Sequence, residues 1–273
     1  MTTAGAKQGR QGGNDAELAT PALSDDLRAR TLERFEKHRR VWGGNRALRA
    51  LNAALYQRVA AELPAREIGR RVELGSGPGF AREFIPDIEL TDLVRAPWHD
   101  REASAESLPF DDGSVGALVR FDVLHHLPSP RRFFEEAVRV LPRGGRIVMC
   151  EPYISPVSYP VYKFLHDEPL NLGADPLALY AGGDARDPFD ANQAIPTLLF
   201  GRQRAAFEAA FPALSIQRLQ YMSGFSCPAS GGFSHGPFLP WPIWSLWHRL
   251  DTSLPSALMR WMAFRMLVVL ERA

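Results

Sequence analysis

Val72-Glu73-Leu74-Gly75-Ser76-Gly77-Pro78-Gly79 is the stretch of this sequence that decides the fold. A short apolar run breaks there into three glycines at alternate positions, with an acid two places before the first glycine. Glycines in this arrangement let the backbone turn sharply and lie against a ligand, because no Cβ stands in the way. The stretch therefore predicts a loop that binds a nucleotide-type cofactor at the end of a β-strand.

The spacing of the glycines bears on which cofactor is bound. A dinucleotide-binding GxGxxG loop has its third glycine or alanine three residues after the second, and Phe80 stands at that position here. A second apolar run, residues 88–91, ends at Asp92, whose carboxylate could accept hydrogen bonds from a ribose diol. The pattern disfavours a dinucleotide and favours another ribose-containing cofactor.

Three further blocks follow in order, namely residues 105–114 (AESLPFDDGS), 121–127 (FDVLHHL) and 139–148 (RVLPRGGRIV). Together with the glycine loop they resemble motif I and the LPF, LHHL and RVL-x-x-GG blocks of the UbiE-like (methyltransferase type 11) branch of class I S-adenosylmethionine (SAM) methyltransferases. The resemblance covers about residues 68–152. It implies SAM as cofactor and an α/β, Rossmann-like fold, with a seven-stranded, mostly parallel sheet, an antiparallel last strand and helices on both faces.

The resemblance also implies which residues contact the cofactor: Glu73, Gly75, Ser76, Gly77, Gly79, Asp92, Leu93, Ser104, Ala105, Glu106 and Phe121. Two positions depart from the family pattern. Ser104 stands where an Asp often precedes the LPF block, and Gly116 stands where an acid often follows it. Neither change removes the glycine loop or the ribose-binding acid, so these departures bear on affinity more than on identity.

Candidate catalytic residues are fewer, because methyl transfer needs a general base only when the acceptor must lose a proton. His166, which has carboxylates beside it in the sequence, is the favoured candidate base. Tyr153, directly after a predicted strand at 146–151, lies where family members often contact the acceptor. His125 and His126 are more typical of packing or hydrogen-bonding residues than of a base.

Composition narrows the function classes further. The chain has 273 residues with 32 basic and 31 acidic side chains, a balance that gives no reason to expect nucleic acid as a partner. Cys150 and Cys227 have no neighbour at metal-ligand spacing, so no metal site is predicted. Two cysteines, no secretion signal and no long apolar run predict a cytoplasmic protein. The sequence carries no signal for the oligomeric state.

The pattern along the chain predicts a disordered tail at 1–24 and a single methyltransferase domain at 25–273. Within the domain we expect amino-terminal helices at 25–67, a SAM-binding core at 68–152, and two insertions, at 153–198 and 223–258, that shape the acceptor site. The first insertion is expected to be mostly irregular, because it carries six prolines.

The aromatic stretch at 238–250 allows three interpretations. Trp241, Trp244 and His248 share one helical face, which favours a helix packed on the sheet edge. A lid over an apolar acceptor and a peripheral membrane contact are the alternatives.

The sequence thus predicts transfer of a methyl group from SAM to a small-molecule or lipid-like acceptor. Two alternatives stay open. A catalytically silent methyltransferase-like scaffold fits the departures at Ser104 and Gly116. An NAD(P)-linked oxidoreductase is disfavoured by Phe80, and the pair Tyr159 and Lys163, at the spacing used by some dehydrogenases, lies in a proline-rich segment.

Overall fold

The computed structural model describes residues 23–178 and 187–273. These residues form a seven-stranded sheet with strand order β3-β2-β1-β4-β5-β7-β6. The strands are β1 Arg70–Leu74, β2 Glu89–Asp92, β3 Arg101–Glu102, β4 Val115–Phe121, β5 Arg146–Pro152, β6 Leu214–Met222 and β7 Arg265–Arg272. Strands β1 to β5 pair in parallel, whereas β7 runs antiparallel to both β5 and β6. The predicted fold and its antiparallel last strand are confirmed.

Nine α-helical segments are present in the described ranges: α1 Asp25–Gly44, α2 Arg46–Ala61, α3 Pro130–Val140, α4 Ser158–Phe164, α5 Ile195–Thr197, α6 Arg204–Ala210, α7 Ser226–Ala229, α8 Trp241–Ser253 and α9 Ser256–Met262. A π-helical turn, Leu198–Arg202, links α5 to α6. No helix of the described part of the chain is both long and apolar enough to cross a membrane.

The two leading helices are separated by a single capping residue. Ser24 begins α1, and its hydroxyl accepts a hydrogen bond from Leu27 N–H at 3.3 Å. Asn45 lies between the helices, and its side-chain oxygen accepts from Leu48 N–H at 3.0 Å while its amide donates to the Ser230 carbonyl at 2.8 Å. The break between α1 and α2 is thereby tied to α7. Of the predicted tail, residues 1–22 lie outside the described residues, and Ser24 is part of the helix cap.

Helix α3 shows how the sequence pattern determines burial. Pro130 occupies its first turn, where no backbone donor is needed, and Ser129 caps it. An apolar stripe on one face is fully buried against the sheet: Phe133, Phe134, Ala137 and Val140. Along the chain, α3 connects β4 to β5, because two neighbouring parallel strands need a crossover connection.

The connection from the glycine loop to β2 is unusually short. It contains only a 3₁₀ turn, Phe80–Glu83, which agrees with the limited room that the sequence leaves before Asp92. Phe80 stacks on Trp42 of α1 with ring centroids 3.9 Å apart. Because no long helix covers the loop at this point, α1 supplies the packing surface instead.

Both insertions contain short helices. Among the described residues of 153–198 these are α4 and α5, and most of the rest of that described segment is irregular, as the sequence predicts. The second insertion, 223–258, contains α7 and α8, and its last helix, α9, continues beyond the predicted boundary to Met262. Proline does not exclude these helices, because Pro196 and Pro242 lie in first turns where a missing N–H costs nothing.

Trp244 of α8 is a core residue. Its side chain is fully buried, and its indole N–H donates to the Ser226 carbonyl at 2.9 Å. Trp241 and His248 stack on its two sides, with centroids 5.6 and 4.9 Å away. Trp244 therefore packs in the core against α7, whereas packing of this helix on the sheet edge stays a prediction.

Phe134 provides a test of the core. Its fully buried ring contacts Phe207 and Phe211, at centroid distances of 4.9 and 5.4 Å. We expect Phe134→Ala to lower the free energy of unfolding by about 3 to 5 kcal/mol in urea denaturation, because the vacated space cannot fully collapse. Phe238→Ala, at a side chain that is 66% exposed, is the control and should change it by less than about 0.5 kcal/mol. Equal losses in the two variants would contradict this packing.

Candidate functional site

The glycine loop adopts the left-handed backbone that its sequence predicts. Gly75, Gly77 and Gly79 have φ angles of 71°, 46° and 80°. A Cβ on Gly75 would lie 2.6 Å from a methyl carbon of Val123, which follows β4. The loop is therefore shaped both by its own backbone and by the close approach of the neighbouring strand end.

Asp92, at the end of β2, holds the loop in place. One of its carboxylate oxygens accepts a hydrogen bond from Gly77 N–H at 2.9 Å, and the other accepts from Val94 N–H at 3.0 Å. A carboxylate has about four acceptor positions, so these backbone donors leave room for a ligand hydrogen bond. The side chain is 7% exposed, at the place where the sequence expects a ribose. Its geometry thus fits a second role as ribose acceptor.

Two residues that the sequence analysis missed complete the loop. The Gly77 carbonyl accepts hydrogen bonds from Trp98 Nε1 at 2.8 Å and from His99 Nε2 at 2.7 Å. His99 is buried, and its Nδ1 accepts from Ala96 N–H, so Nε2 carries the proton. These residues follow β2 without any motif that would have marked them. Their contact with the loop arises only because the chain turns back after the strand.

Glu73 offers an unsatisfied acceptor beside the loop. Its side chain is 2% exposed, one oxygen accepts from Tyr56 OH at 3.2 Å, and the other has no hydrogen-bond partner among the described residues. Burial raises the pKa of this carboxyl to about 8. Phe121 stacks on Tyr56 with centroids 4.4 Å apart and completes this wall. The predicted cofactor is cationic and amine-bearing, and a positive group here would supply the missing partner.

The block before LPF is used partly for structure. The Glu106 carboxylate accepts from Ser129 N–H at 2.6 Å, at the start of α3, and the Ser104 hydroxyl accepts from Glu106 N–H at 3.2 Å. Ala105 packs against the core, and Leu93 is half-buried directly after Asp92. Cofactor contacts at these four positions stay predictions.

A second polar cluster lies at the carboxyl ends of β4 and β5. Glu151 is fully buried, and one of its oxygens accepts from the N–H groups of Val123 and Leu124 at 3.0 and 2.8 Å. Its other oxygen bonds His125 Nδ1 at 2.9 Å. Burial opposes the charge on Glu151, but these hydrogen bonds outweigh it and lower the pKa of the carboxyl. Glu151 therefore ties the turn after β4 to the end of β5.

Glu168, from the first insertion, approaches the same cluster from the other side. Its oxygens lie 3.5 Å from His125 Nε2 and 4.0 Å from His126 Nε2. The amide of Gln193 donates to Glu168 as well. The sequence analysis missed Glu151 and Glu168 as partners of the LHHL histidines, since the three segments meet only in the folded sheet.

His166 is near this cluster, but its partner differs from the one expected. Its Nδ1 accepts a hydrogen bond from the backbone N–H of Glu168 at 3.2 Å, so an amide and not a carboxylate orients the ring. Burial lowers the pKa of His166, which favours the neutral imidazole that a base requires. Its role as base stays a prediction.

Tyr153 directs its hydroxyl toward another part of the chain. The hydroxyl donates to the Arg260 carbonyl of α9 at 3.1 Å, and the ring stacks on Tyr221 with centroids 4.2 Å apart. Burial raises the pKa of Tyr153 to about 12. An acceptor contact by Tyr153, which stays a prediction, would have to use the ring or displace this hydrogen bond.

Asp122 shows a strained backbone next to the glycine loop. It has a φ of 58°, which non-glycine residues seldom adopt, and its carboxylate pairs with Arg265 of β7. Its N–H donates to the Cys150 carbonyl at 3.0 Å. Residues in such conformations cluster at functional sites, because the surrounding structure must hold them there.

The burial of Glu73 predicts a pH-dependent stability. Between pH 4.5 and 8 the folded protein without cofactor keeps a proton on Glu73 that the unfolded chain releases, so this group lowers the free energy of unfolding as the pH rises. The loss amounts to a few kcal/mol, with about 5 kcal/mol as an upper bound. Urea denaturation at pH 5 and pH 8 should show this loss in the wild type and a smaller one in Glu73→Gln. Parallel pH profiles for the two proteins would contradict the burial of an ionisable Glu73.

Comparison with known proteins agrees with this geometry. Residues 72–149 match a family model described as a methyltransferase domain. The chain is 30% identical over 112 residues to a probable S-adenosylmethionine-dependent methyltransferase of Mycolicibacterium smegmatis, a match that covers 36% of this chain and 42% of the relative. It is 46% identical over 55 residues to a demethylmenaquinone methyltransferase of Clavibacter sepedonicus, covering 20% and 22% of the two chains. Each match spans less than half of the relative's length.

Among solved structures, the fold is similar to a chain in the complex between the Trm112 methyltransferase activator and a methyltransferase of Haloferax volcanii. The TM-score is 0.51 at 16% identity, with 92% of this chain and 99% of that chain covered. These matches support the predicted resemblance to methyltransferases, and the match to the demethylmenaquinone enzyme is consistent with the UbiE-like branch. Residues 72–149 of this chain match the methyltransferase domain and lie in a sheet with the strand order described above.

Proposed function

We propose that this protein transfers a methyl group from SAM to a small-molecule or lipid-like acceptor. The observation that carries the proposal is the glycine loop held by Asp92, with the unsatisfied oxygen of Glu73 beside it. When bound, SAM supplies a methyl group on a sulfonium, which is already a good leaving group. The protein has only to position the acceptor and exclude water.

The residues described above divide this work. Asp92 would hold the ribose, and Glu73 would face a positive group of the cofactor. His125 and Glu168 would lie on the acceptor side, beyond Val123, whose side chain approaches Gly75. Orientation of two reactants in this way supplies up to about 7 to 11 kcal/mol of the barrier reduction.

An exposed apolar surface supports a lipid-like acceptor. On α8, Ile243, Leu246, Trp247 and Leu250 follow helical spacing and are 45% to 58% exposed. On α9, Leu258 and Trp261 are 45% and 63% exposed. We call these six side chains the α8–α9 face. Scattered exposed apolar residues are ordinary, but a contiguous helical stripe indicates an interaction surface.

Basic residues flank the α8–α9 face. Arg249 and Arg260 are exposed on the same two helices. A helix with bulky apolar residues on one face and arginine at its border is typical of a segment that lies in the bilayer interface. Trp244 is buried, so a membrane contact would use these exposed residues in place of the Trp241 and Trp244 pair that the sequence spacing suggests. The acceptor would then be drawn from, or presented at, a lipid surface.

The first test is cofactor binding. We expect the protein to bind SAM in calorimetric titration and NADH not at all. Asp92→Ala removes both the ribose acceptor and the hydrogen bond that holds the glycine loop. SAM affinity should therefore fall by about 1.5 to 3 kcal/mol, which is roughly ten- to a hundredfold. Asp112→Ala, at a carboxylate that is 80% exposed and bound to Arg139, is the matched control. Unchanged SAM affinity in a folded Asp92→Ala protein would contradict the assignment of the site.

The second test is attachment to lipid. Leu246→Ser combined with Leu250→Ser should reduce co-sedimentation with anionic phospholipid vesicles while SAM affinity stays unchanged, because both side chains lie on the exposed side of α8. Leu172→Ser, at a leucine 37% exposed in the first insertion, is the control and should leave vesicle binding as it is. Vesicle binding that survives the double variant, or a wild-type dimer that the double variant dissociates, would contradict a lipid contact by this face. Formation of S-adenosylhomocysteine with lipid acceptors would then separate an enzyme from a silent scaffold.

A further inference from the structure

Three side chains at the cluster beyond the glycine loop have the composition of a metal site. In the described ranges, His125, His126 and Glu168 bring one ligand atom each to within 4.8 Å of one another. Two imidazoles and one carboxylate form the donor set used for divalent transition metals with open coordination positions. The sequence alone predicts no metal here, because Glu168 is remote from the two histidines along the chain.

The outer partners of both histidines orient them as ligands. His125 Nδ1 bonds the Glu151 carboxylate at 2.9 Å, and His126 Nδ1 lies 3.2 Å from the Asp190 carbonyl. A carbonyl can only accept, so His126 carries its proton on Nδ1 and its Nε2 lone pair is free. Metal-binding histidines almost always have such a carboxylate or carbonyl on the second nitrogen. Both Nε2 atoms then face Glu168.

The facing atoms of His126 and Glu168 are both acceptors. The Nε2 lone pair of His126 lies 4.0 Å from a Glu168 oxygen, and nothing in this geometry places a proton between them. Two opposed acceptors repel one another, and a bound cation would convert the repulsion into two coordinate bonds.

Glu168 is held where a ligand must be. Gln193 donates from its side-chain amide to the Glu168 carboxylate, and its backbone N–H donates to the Pro169 carbonyl at 3.0 Å. His166 accepts from Glu168 N–H. The Gln193 side-chain oxygen is buried without a hydrogen-bond partner among the described residues. These contacts fix the loop that carries Glu168 against the strand ends that carry the histidines.

The distances suit an ion of first-row size. Zinc binds nitrogen and oxygen ligands at about 2.0 to 2.2 Å, which places two ligands roughly 3 to 3.5 Å apart. The His125 to Glu168 distance is 3.5 Å and the His126 to Glu168 distance is 4.0 Å, and all three ligand atoms lie within 4.8 Å of one another, so the longest separation needs a contraction of about 1 Å through rotation of the side chains. The side chains of His126 and Glu168 are 16% and 27% exposed, so an ion has an entry path.

We propose that His125, His126 and Glu168 form a binding site for one divalent transition-metal ion, with Glu151 and the Asp190 carbonyl as outer partners. Three protein ligands leave coordination positions open for water or for an oxygen of a bound molecule. If the proposed methyltransferase function holds, the ion would lie on the acceptor side of the glycine loop and could orient an oxygen-bearing acceptor. The metal site itself does not depend on that function.

The test uses Co²⁺ as a spectroscopic probe for the untagged full-length protein. We expect one equivalent to bind, with visible absorption of a nitrogen-ligated ion, and to be displaced by Zn²⁺. His126→Ala and Glu168→Gln should each weaken Co²⁺ binding by more than about tenfold, since each removes a direct ligand. The matched controls are His235→Ala and Glu208→Gln, at exposed side chains, which should bind as the wild type does.

Two further measurements distinguish the possible outcomes. X-ray absorption of the wild-type Co²⁺ complex should show two imidazoles, and this measurement does not depend on how well the variants fold. Asp92→Ala should lose SAM affinity but keep Co²⁺, whereas His126→Ala should do the reverse, so failure of the metal site and failure of the proposed function are distinguishable. No stoichiometric Co²⁺ binding, a complex without imidazole, or loss of binding in His235→Ala alone would overturn the proposal and leave the cluster as a hydrogen-bonded group of two histidines and two carboxylates.

Discussion

The hydrogen bond from Gly77 N–H to the Asp92 carboxylate is the interaction on which the rest of the site depends. It joins the loop after β1 to the end of β2, two parallel strands whose carboxyl ends must meet at one sheet edge. The loop conformation needs glycine, because all three of its glycines have positive φ angles. On the other side of the same peptide segment, the Gly77 carbonyl accepts hydrogen bonds from Trp98 and His99, which follow β2. The cofactor surface is thus built from short-range turns around a single carboxylate.

Glu151 joins β5 to the turn after β4, in the same way that Asp92 joins β2 to the loop after β1. Its buried carboxylate accepts two backbone N–H groups after β4 and bonds His125. A buried charge with three hydrogen bonds costs little to keep ionised, whereas the same charge without them would cost several kcal/mol. Glu73, on β1, is the contrasting case, since it is equally buried but half-satisfied. The protein satisfies both oxygens of Glu151 with hydrogen bonds, whereas one oxygen of Glu73 has no hydrogen-bond partner among the described residues. This is the difference expected between a structural group and a ligand-binding group.

The sequence predicts the first half of the chain well for a physical reason. Glycine spacing, a strand-end acid and the stripe of α3 are local patterns, and local geometry is sufficient to place Gly75, Asp92 and Phe133. It predicts the polar clusters poorly, because they are assembled from distant segments. Glu106 lies in a cofactor-like motif, yet its carboxylate caps α3. His166 has acidic neighbours in the sequence, yet an amide orients its ring. A sequence neighbour is a poor guide to a side-chain partner once the chain turns between them.

The contrast between local patterns and long-range contacts also separates the segment before residue 149 from the segment after it. The match to the methyltransferase family model ends at residue 149, within β5. Beyond it, helices α7 to α9 precede β7, and their burial is decided by a single anchor, Trp244, whose indole N–H bonds Ser226. Trp244 is directed inward, whereas Ile243, Leu246 and Trp247 of the same helix are exposed, because a helix presents its successive residues around its whole circumference. The exposed stripe is therefore a consequence of how α8 is anchored. A helix that buries only one of its large apolar side chains keeps the others available for contact with a partner surface, and that surface rather than the cofactor loop is where specificity of this chain would reside.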